Sequence, residues 1–122
     1  MFPLRVRSSY SLLQATASPA ALCRLAGHYG YPGLALTDRD NLYGLWPFLR
    51  ACRREGLRPV VGAEISEPGS NRLVTCLVQT STGYANLCNL LTLRHRAGFN
   101  LVDGLAGHEE GLLLLADDLP LL

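Results

Sequence analysis

Several stretches of this 122-residue chain carry side chains whose type and spacing suit chemistry at a site. Arg5 and Arg7 stand two apart in Leu4-Arg5-Val6-Arg7, so on a strand both guanidiniums share one face and Leu4 and Val6 the other. Asp38-Arg39-Asp40 follows an apolar run, and Glu64 lies inside another. A buried carboxylate without a partner is strongly disfavoured, so Glu64 needs one. All 11 basic residues are Arg, the side chain whose planar fork takes a carboxylate or phosphate with two parallel hydrogen bonds. A cluster of Arg5, Arg7 and Arg39 around Glu64, with Asp38 close by, would therefore be a charge-paired centre with room for an anion.

Each of these residues also has a plainer reading. Arg5 and Arg7 suit the solvated face of an edge strand, and Asp38 suits a turn in which its carboxylate caps local backbone N–H groups. Arg50, Arg53, Arg54 and Arg58 have no aromatic residues interleaved for base stacking, which favours a solvated helix face over a nucleic-acid surface. Arg94-His95-Arg96 and His28 fall at helix ends, where cations offset the helix dipole. His108 beside Glu109 and Glu110 lacks a second His and is a weak metal motif.

The elements that must position these groups alternate. Ser18-Pro19 is a helix start, with Leu22, Leu25, Ala26 and Tyr29 as an apolar stripe ending at Gly30. Gly33 to Thr37 reads as a buried strand that ends at the polar Asp38-Arg39-Asp40-Asn41 loop. Tyr43 to Glu55 reads as a helix burying Leu45, Phe48, Leu49 and Cys52, with Gly56 as its C-cap. Strands over Pro59 to Ile65 and Leu73 to Gln79 flank a Pro68-Gly69 turn and can pair as a hairpin. Thr82 then caps a helix carrying Tyr84, Leu87, Cys88, Leu91 and His95 on one face, a loop follows Gly98, and Gly111 to Ala116 is a last strand. This alternation predicts βαβ units and a mostly parallel sheet with helices outside, in which a site lies at the carboxyl ends of the strands.

Composition bounds the rest. A chain of this length is one domain and can bury about two-thirds of its unfolded surface. Hydrophobic residues at 48% against 17% charged exclude a disordered or coiled-coil chain, and a net charge of +1 leaves no global field to steer it to nucleic acid or membrane. Cys23, Cys52, Cys76 and Cys88 form no CxxC pair and sit in apolar segments, so they read as small core hydrophobes in a reduced, cytoplasmic setting rather than as zinc ligands. The apolar run Leu112 to Ala116 is too short to cross a bilayer.

Four segments carry a resemblance: Leu4 to Leu13, Gly33 to Gly44 through Leu36-Thr37-Asp38-Arg39-Asp40-Asn41-Leu42-Tyr43, Gly56 to Glu64, and Thr82 to Leu87. In order and spacing they resemble the N-terminal PHP (polymerase and histidinol phosphatase) domain of the bacterial DNA polymerase III alpha subunit. The resemblance implies an N-terminal portion of a distorted seven-stranded βα barrel, incomplete in residues 1–122, holding up to three metal ions in members that act as phosphoesterases or proofreading nucleases. Here Arg5 and Arg7 stand at the family's His-x-His pair, Gln14 at an Asp, Arg39 at a His and Leu73 at a His, and only Glu64 keeps a ligating side chain. Arg and Leu offer a metal no lone pair, and Gln is a weak donor. The resemblance therefore implies a metal-free, non-catalytic segment without a cofactor, scaffolding a DNA-directed DNA polymerase. Its partners would be the remainder of the alpha subunit and a proofreading exonuclease, with DNA reached only through the full-length protein and no membrane. The alternative is a metal-dependent phosphoesterase of the same superfamily. An uncovered last strand further implies self-association of the isolated segment.

Overall fold

The structure, a computed structural model, describes residues 18–116. The expected strand at Leu4 to Arg7, the Gln14 position and the Leu119 to Leu122 tail lie outside the described residues.

Helix α1 (Pro19–His28) begins where expected, because the Ser18 hydroxyl accepts a hydrogen bond from the Ala21 N–H and Pro19 opens the first turn. Strand β1 (Gly33–Arg39) runs two residues beyond the apolar segment, so Asp38 and Arg39 are strand residues rather than loop. Their backbones complete the parallel ladder with Ala63 and Glu64 of the next strand, and that pairing outweighs the low strand propensity of Asp. Helix α2 (Leu45–Glu55) starts after Gly44 and ends at Gly56, whose φ of 71° is the left-handed cap that its sequence position suggests.

Strands β2 (Arg58–Ser66) and β3 (Leu73–Val78) form the expected hairpin. Helix α3 (Ser81–Arg94) takes Thr80 rather than Thr82 as its N-cap: Thr80 is extended and its hydroxyl accepts from Gly83 N–H. The segment after Gly98 is not all loop, since α4 (Leu101–Leu105) makes one short turn capped by Asn100 and buries Leu101 and Leu105. Five residues are too few for a periodic signal. Strand β4 (Leu112–Ala116) closes the described chain.

The sheet order is β1-β2-β3-β4. β1 and β2 pair in parallel, but β2 with β3 and β3 with β4 are antiparallel, so the mostly parallel sheet expected from the alternation is a mixed one here. The short turn that makes β2 and β3 a hairpin forces the first reversal. The four described strands do not by themselves make a closed barrel.

The four helices of the described residues pack on one face of the sheet. Cys23 and Ala26 of α1 and Phe48, Ala51 and Cys52 of α2 cover Leu34 and Leu36 of β1. Leu87, Leu90 and Leu91 of α3, with Leu101 and Leu105 of α4, cover Ala63 and Ile65 of β2, Val74 and Cys76 of β3, and Leu112. Of the stripe expected on α1, Ala26 is buried and Leu22 packs against this core, while Leu25 and Tyr29 are exposed and Pro19 and Cys23 are buried in their place. Small side chains let α1 approach α2 closely enough to bring Cys23 Sγ within 3.6 Å of Cys52 Sγ.

Candidate functional site

Strand alternation and register assign the opposite face of the sheet. Ala35, Thr37 and Arg39 of β1 lie beside Val60, Gly62 and Glu64 of β2, and Leu73, Thr75 and Leu77 of β3 continue the same face. No helix among the described residues covers it, yet Ala35, Thr37, Glu64, Thr75 and Leu77 are buried. The face is therefore an interior surface, and it carries polar groups where the helix-bearing face carries aliphatic ones.

Arg39 and Glu64 are register partners at the carboxyl end of β1 and β2. Arg39 Nε lies 3.6 Å from Glu64 Oε1, an ion pair beyond hydrogen-bond length, with the carboxylate side chain 4% exposed and the guanidinium 33%. Glu64 thus has the cationic neighbour that its place in an apolar strand demands. Thr75 is opposite Glu64 on β3, and Thr37 is two residues before Arg39. Both hydroxyls are fully buried without a hydrogen-bond partner among the described residues, an unusual pair of orphans for one interior face. Gly62 sits between Thr37 and Leu77: a Cβ there would meet Cys76 O at 2.5 Å, so the strand comes too close to β3 for any side chain. Leu73 begins β3 on this face and offers no donor atom.

Asp38 does not join them. Its parity is that of Leu34 and Leu36, and it lines a recess with Leu42, Leu45, Phe48 and Val61 on the helix-bearing side. Adjacent strand residues point to opposite faces, so along β1 Asp38 has the opposite parity to Arg39. Arg5, Arg7 and Gln14 lie outside the described residues.

Just past β1, Asp40 takes a left-handed φ of 58° and organises the strand ends. Its N–H donates to Glu64 O at 2.7 Å, its carboxylate accepts from the backbone N–H of Ser66 at 2.8 Å and from the Ser66 hydroxyl, and Arg94 Nη2 lies 3.4 Å from it. Arg94 also donates to Ser66 O, and His95 Nε2 is 2.9 Å from Asp40 O. The end of α3 is thereby clamped to the strand ends that carry Arg39 and Glu64. Reading Arg94 and His95 only as dipole-compensating cations misses this clamp; no local spacing joins Asp40 to residues more than 50 positions away. His108 Nδ1 lies 3.0 Å from Gly104 O, and Arg50, Arg53, Arg54 and Arg58 are exposed, as a solvated surface requires.

Among the described residues no three His, Cys, Asp or Glu side chains converge, and the group that faces Glu64 is a guanidinium with no lone pair to give. None of the helices in the described part is long and apolar enough to cross a membrane.

Comparison with known proteins gives this geometry a family. A family model described as the PHP domain matches residues 3–119. The DNA polymerase III subunit alpha of Chlamydia trachomatis is 33% identical over 93% of this chain, and that of Escherichia coli strain K12 is 36% identical over 93%; in each case the match spans 11% of the relative. An error-prone DNA polymerase from Anaeromyxobacter dehalogenans is 38% identical over 75% of the chain and 8% of its own length. The chain therefore corresponds to about a tenth of these relatives. Among solved structures, an amidohydrolase from Chromobacterium violaceum with bound sulfate and no metal superposes with a TM-score of 0.61 at 23% identity, over 75% of this chain and 32% of that one. A protein described as a metal-dependent phosphoesterase from Bifidobacterium adolescentis gives 0.50 at 20% identity, over 90% and 43%. With nearly its whole length matched by the family model and its strand ends presenting the face just described, the chain belongs to the PHP domain family.

Proposed function

We propose that this chain is a non-catalytic PHP segment of a bacterial replicative DNA polymerase alpha subunit or a close paralogue, in which arginine charge stands in for metal charge. The observation that carries the reading is the Arg39–Glu64 pair on the buried polar face. A carboxylate at 4% exposure needs a positive neighbour, and a guanidinium supplies it permanently where a metal would supply it only when bound. Arg5 and Arg7 would add to this charge, leaving an excess that suits a sulfate or phosphate, and the role of the segment would be to scaffold the polymerase body and to dock a proofreading exonuclease. The polymerase relatives at 32–36% identity support that assignment.

The competing reading, a metal-dependent phosphoesterase, draws on the likeness in fold to the Bifidobacterium protein. It needs several ligating side chains at fixed distances, and the described face offers one carboxylate held by an arginine. Elemental analysis of the purified chain, with a phosphomonoester and phosphodiester assay at added zinc, manganese or iron, separates the two. The expected result is no stoichiometric metal and no hydrolysis. Two or more metal ions per chain, lost on Glu64→Gln, would overturn the charge-replacement reading in favour of the phosphoesterase.

A further inference from the structure

We infer that Cys23 and Cys52 form a redox-closable staple between α1 and α2, joined as an intramolecular disulfide by exchange with a small-molecule disulfide. The two sulfurs lie 3.6 Å apart at the crossing of the helices, 29 positions apart in sequence, and both side chains are fully buried. They need to approach by about 1.6 Å to reach bonding distance, a shift that side-chain rotation and a small slide of α1 can supply. The other two thiols are placed differently: Cys76 is buried in the second core under α3 and α4, and Cys88 interacts with Tyr84 on α3.

The chemistry has a direction. Burial pushes both thiols up, Cys52 to about 12. Cys23 lies on α1, the helix that must open, and once exposed its thiolate is the attacking sulfur. Its thiolate bonds to one sulfur of the small disulfide, the external S–S bond breaks, and the other half leaves and takes up a proton. Cys52, after losing its own proton to solvent, then attacks Cys23 Sγ and expels the second half as a thiol. Two protein thiols are oxidised and one disulfide is reduced to two thiols. Because both sulfurs are buried, the first step requires a local opening of α1, and exchange is slow until that opening occurs. Once formed, the bond closes a long loop and holds α1 on α2 behind β1.

The test treats the folded 122-residue chain with oxidised glutathione, blocks remaining thiols with an alkylating agent at low pH after quenching, and maps peptides without reduction. The expected product is a Cys23–Cys52 linked peptide lighter by two hydrogens, with Cys76 and Cys88 still available for alkylation and a Tm several degrees above the reduced chain. Cys52→Ala should stop at a single glutathione adduct on Cys23 with no rise in Tm, while Cys88→Ala should oxidise as the parent does. Bonds through Cys76 or Cys88, links between chains, or no Cys23–Cys52 bond under conditions that oxidise all four thiols in denaturant would overturn the inference. The peptide map of the parent decides the matter even if Cys52→Ala fails to fold.

Discussion

Glu64 sits at 3% exposure within a strand whose neighbours are apolar or small, and the nearest positive charge among the described residues belongs to its register partner, Arg39. Removing one member of a buried ion pair leaves the other without its counter-charge and costs about 3–5 kcal/mol when both are fully buried. Arg39 is one-third exposed, so water takes up part of its charge, and the loss here belongs at or below the lower end of that range. Glu64→Gln should therefore lower Tm by several degrees in a thermal melt, while Arg53→Gln on the exposed face of α2 should leave it within a degree or so. Equal melting of parent and Glu64→Gln would remove the energetic basis of the charge-replacement reading. The need of Glu64 for a partner was legible from its apolar flanks alone. Arg39 was among the three arginines expected around it; that the two are register partners was not legible, because it follows from how far β1 extends.

At the scale of elements, the join between α3 and β4 depends on two glycines that almost touch. A Cβ on Gly83 would lie 1.9 Å from Gly111 O, and one on Gly111 would lie 2.2 Å from the Thr80 hydroxyl and 2.5 Å from Gly83 N. The obstacle is backbone in each direction, and Gly111 also holds a φ of 79° that a side chain strains. The Gly111 carbonyl accepts from Gln79 N–H at 2.8 Å, so the contact fixes where β4 enters the sheet. Gly83→Ala and Gly111→Ala should each destabilise the chain by at least about 3 kcal/mol, the upper part of the range for overpacking, measured by urea denaturation. Gly69→Ala, in the exposed hairpin turn with open space around it, should lose only the smaller strain of its positive φ. A Gly83→Ala variant as stable as the parent would mean that α3 and β4 meet differently. From the sequence these residues are an early-helix glycine and a strand-start glycine, with nothing local to connect them.

For the whole molecule, the two cores bury three thiols, and burial moves their ionisation in one direction. Cys52 and Cys76 are each pushed up to about 12 from 9.0, and Cys23 is raised as well. In the unfolded chain these groups release protons near 9.0, while the folded chain still holds them. The folded state therefore binds more protons above that pH, and stability falls as pH rises. The contribution is complete below about pH 9 and is lost progressively toward pH 12. Chemical denaturation across pH 8–12 should show that decline, and Cys76→Ala should flatten it while lowering stability at pH 8 through the small cavity it leaves. A parent whose stability is unchanged up to pH 11 would contradict the burial of these thiols.

The sequence by itself determined the order and type of most elements, because each carried its own local signal. Ser18-Pro19 starts α1, Gly56 ends α2, and the Pro68-Gly69 turn makes β2 and β3 a hairpin, all through backbone preferences that act over a few residues. It also determined the PHP family, carried by the Leu36-Thr37-Asp38 and Val60-Val61-Gly62-Ala63-Glu64 segments in their order. Only the tertiary structure decided which edge of the α1 stripe is buried, since Ala26 and Leu22 pack as expected but the small Cys23, rather than Leu25 or Tyr29, meets α2. The same holds for the sheet's mixed pairing, for the clamp of Asp40 by Ser66 and Arg94, and for the face that collects Arg39, Glu64, Thr37 and Thr75. Hydrogen-bond register between strands distant in the chain sets those neighbours, and a shift of one residue would send each of these side chains to the other face.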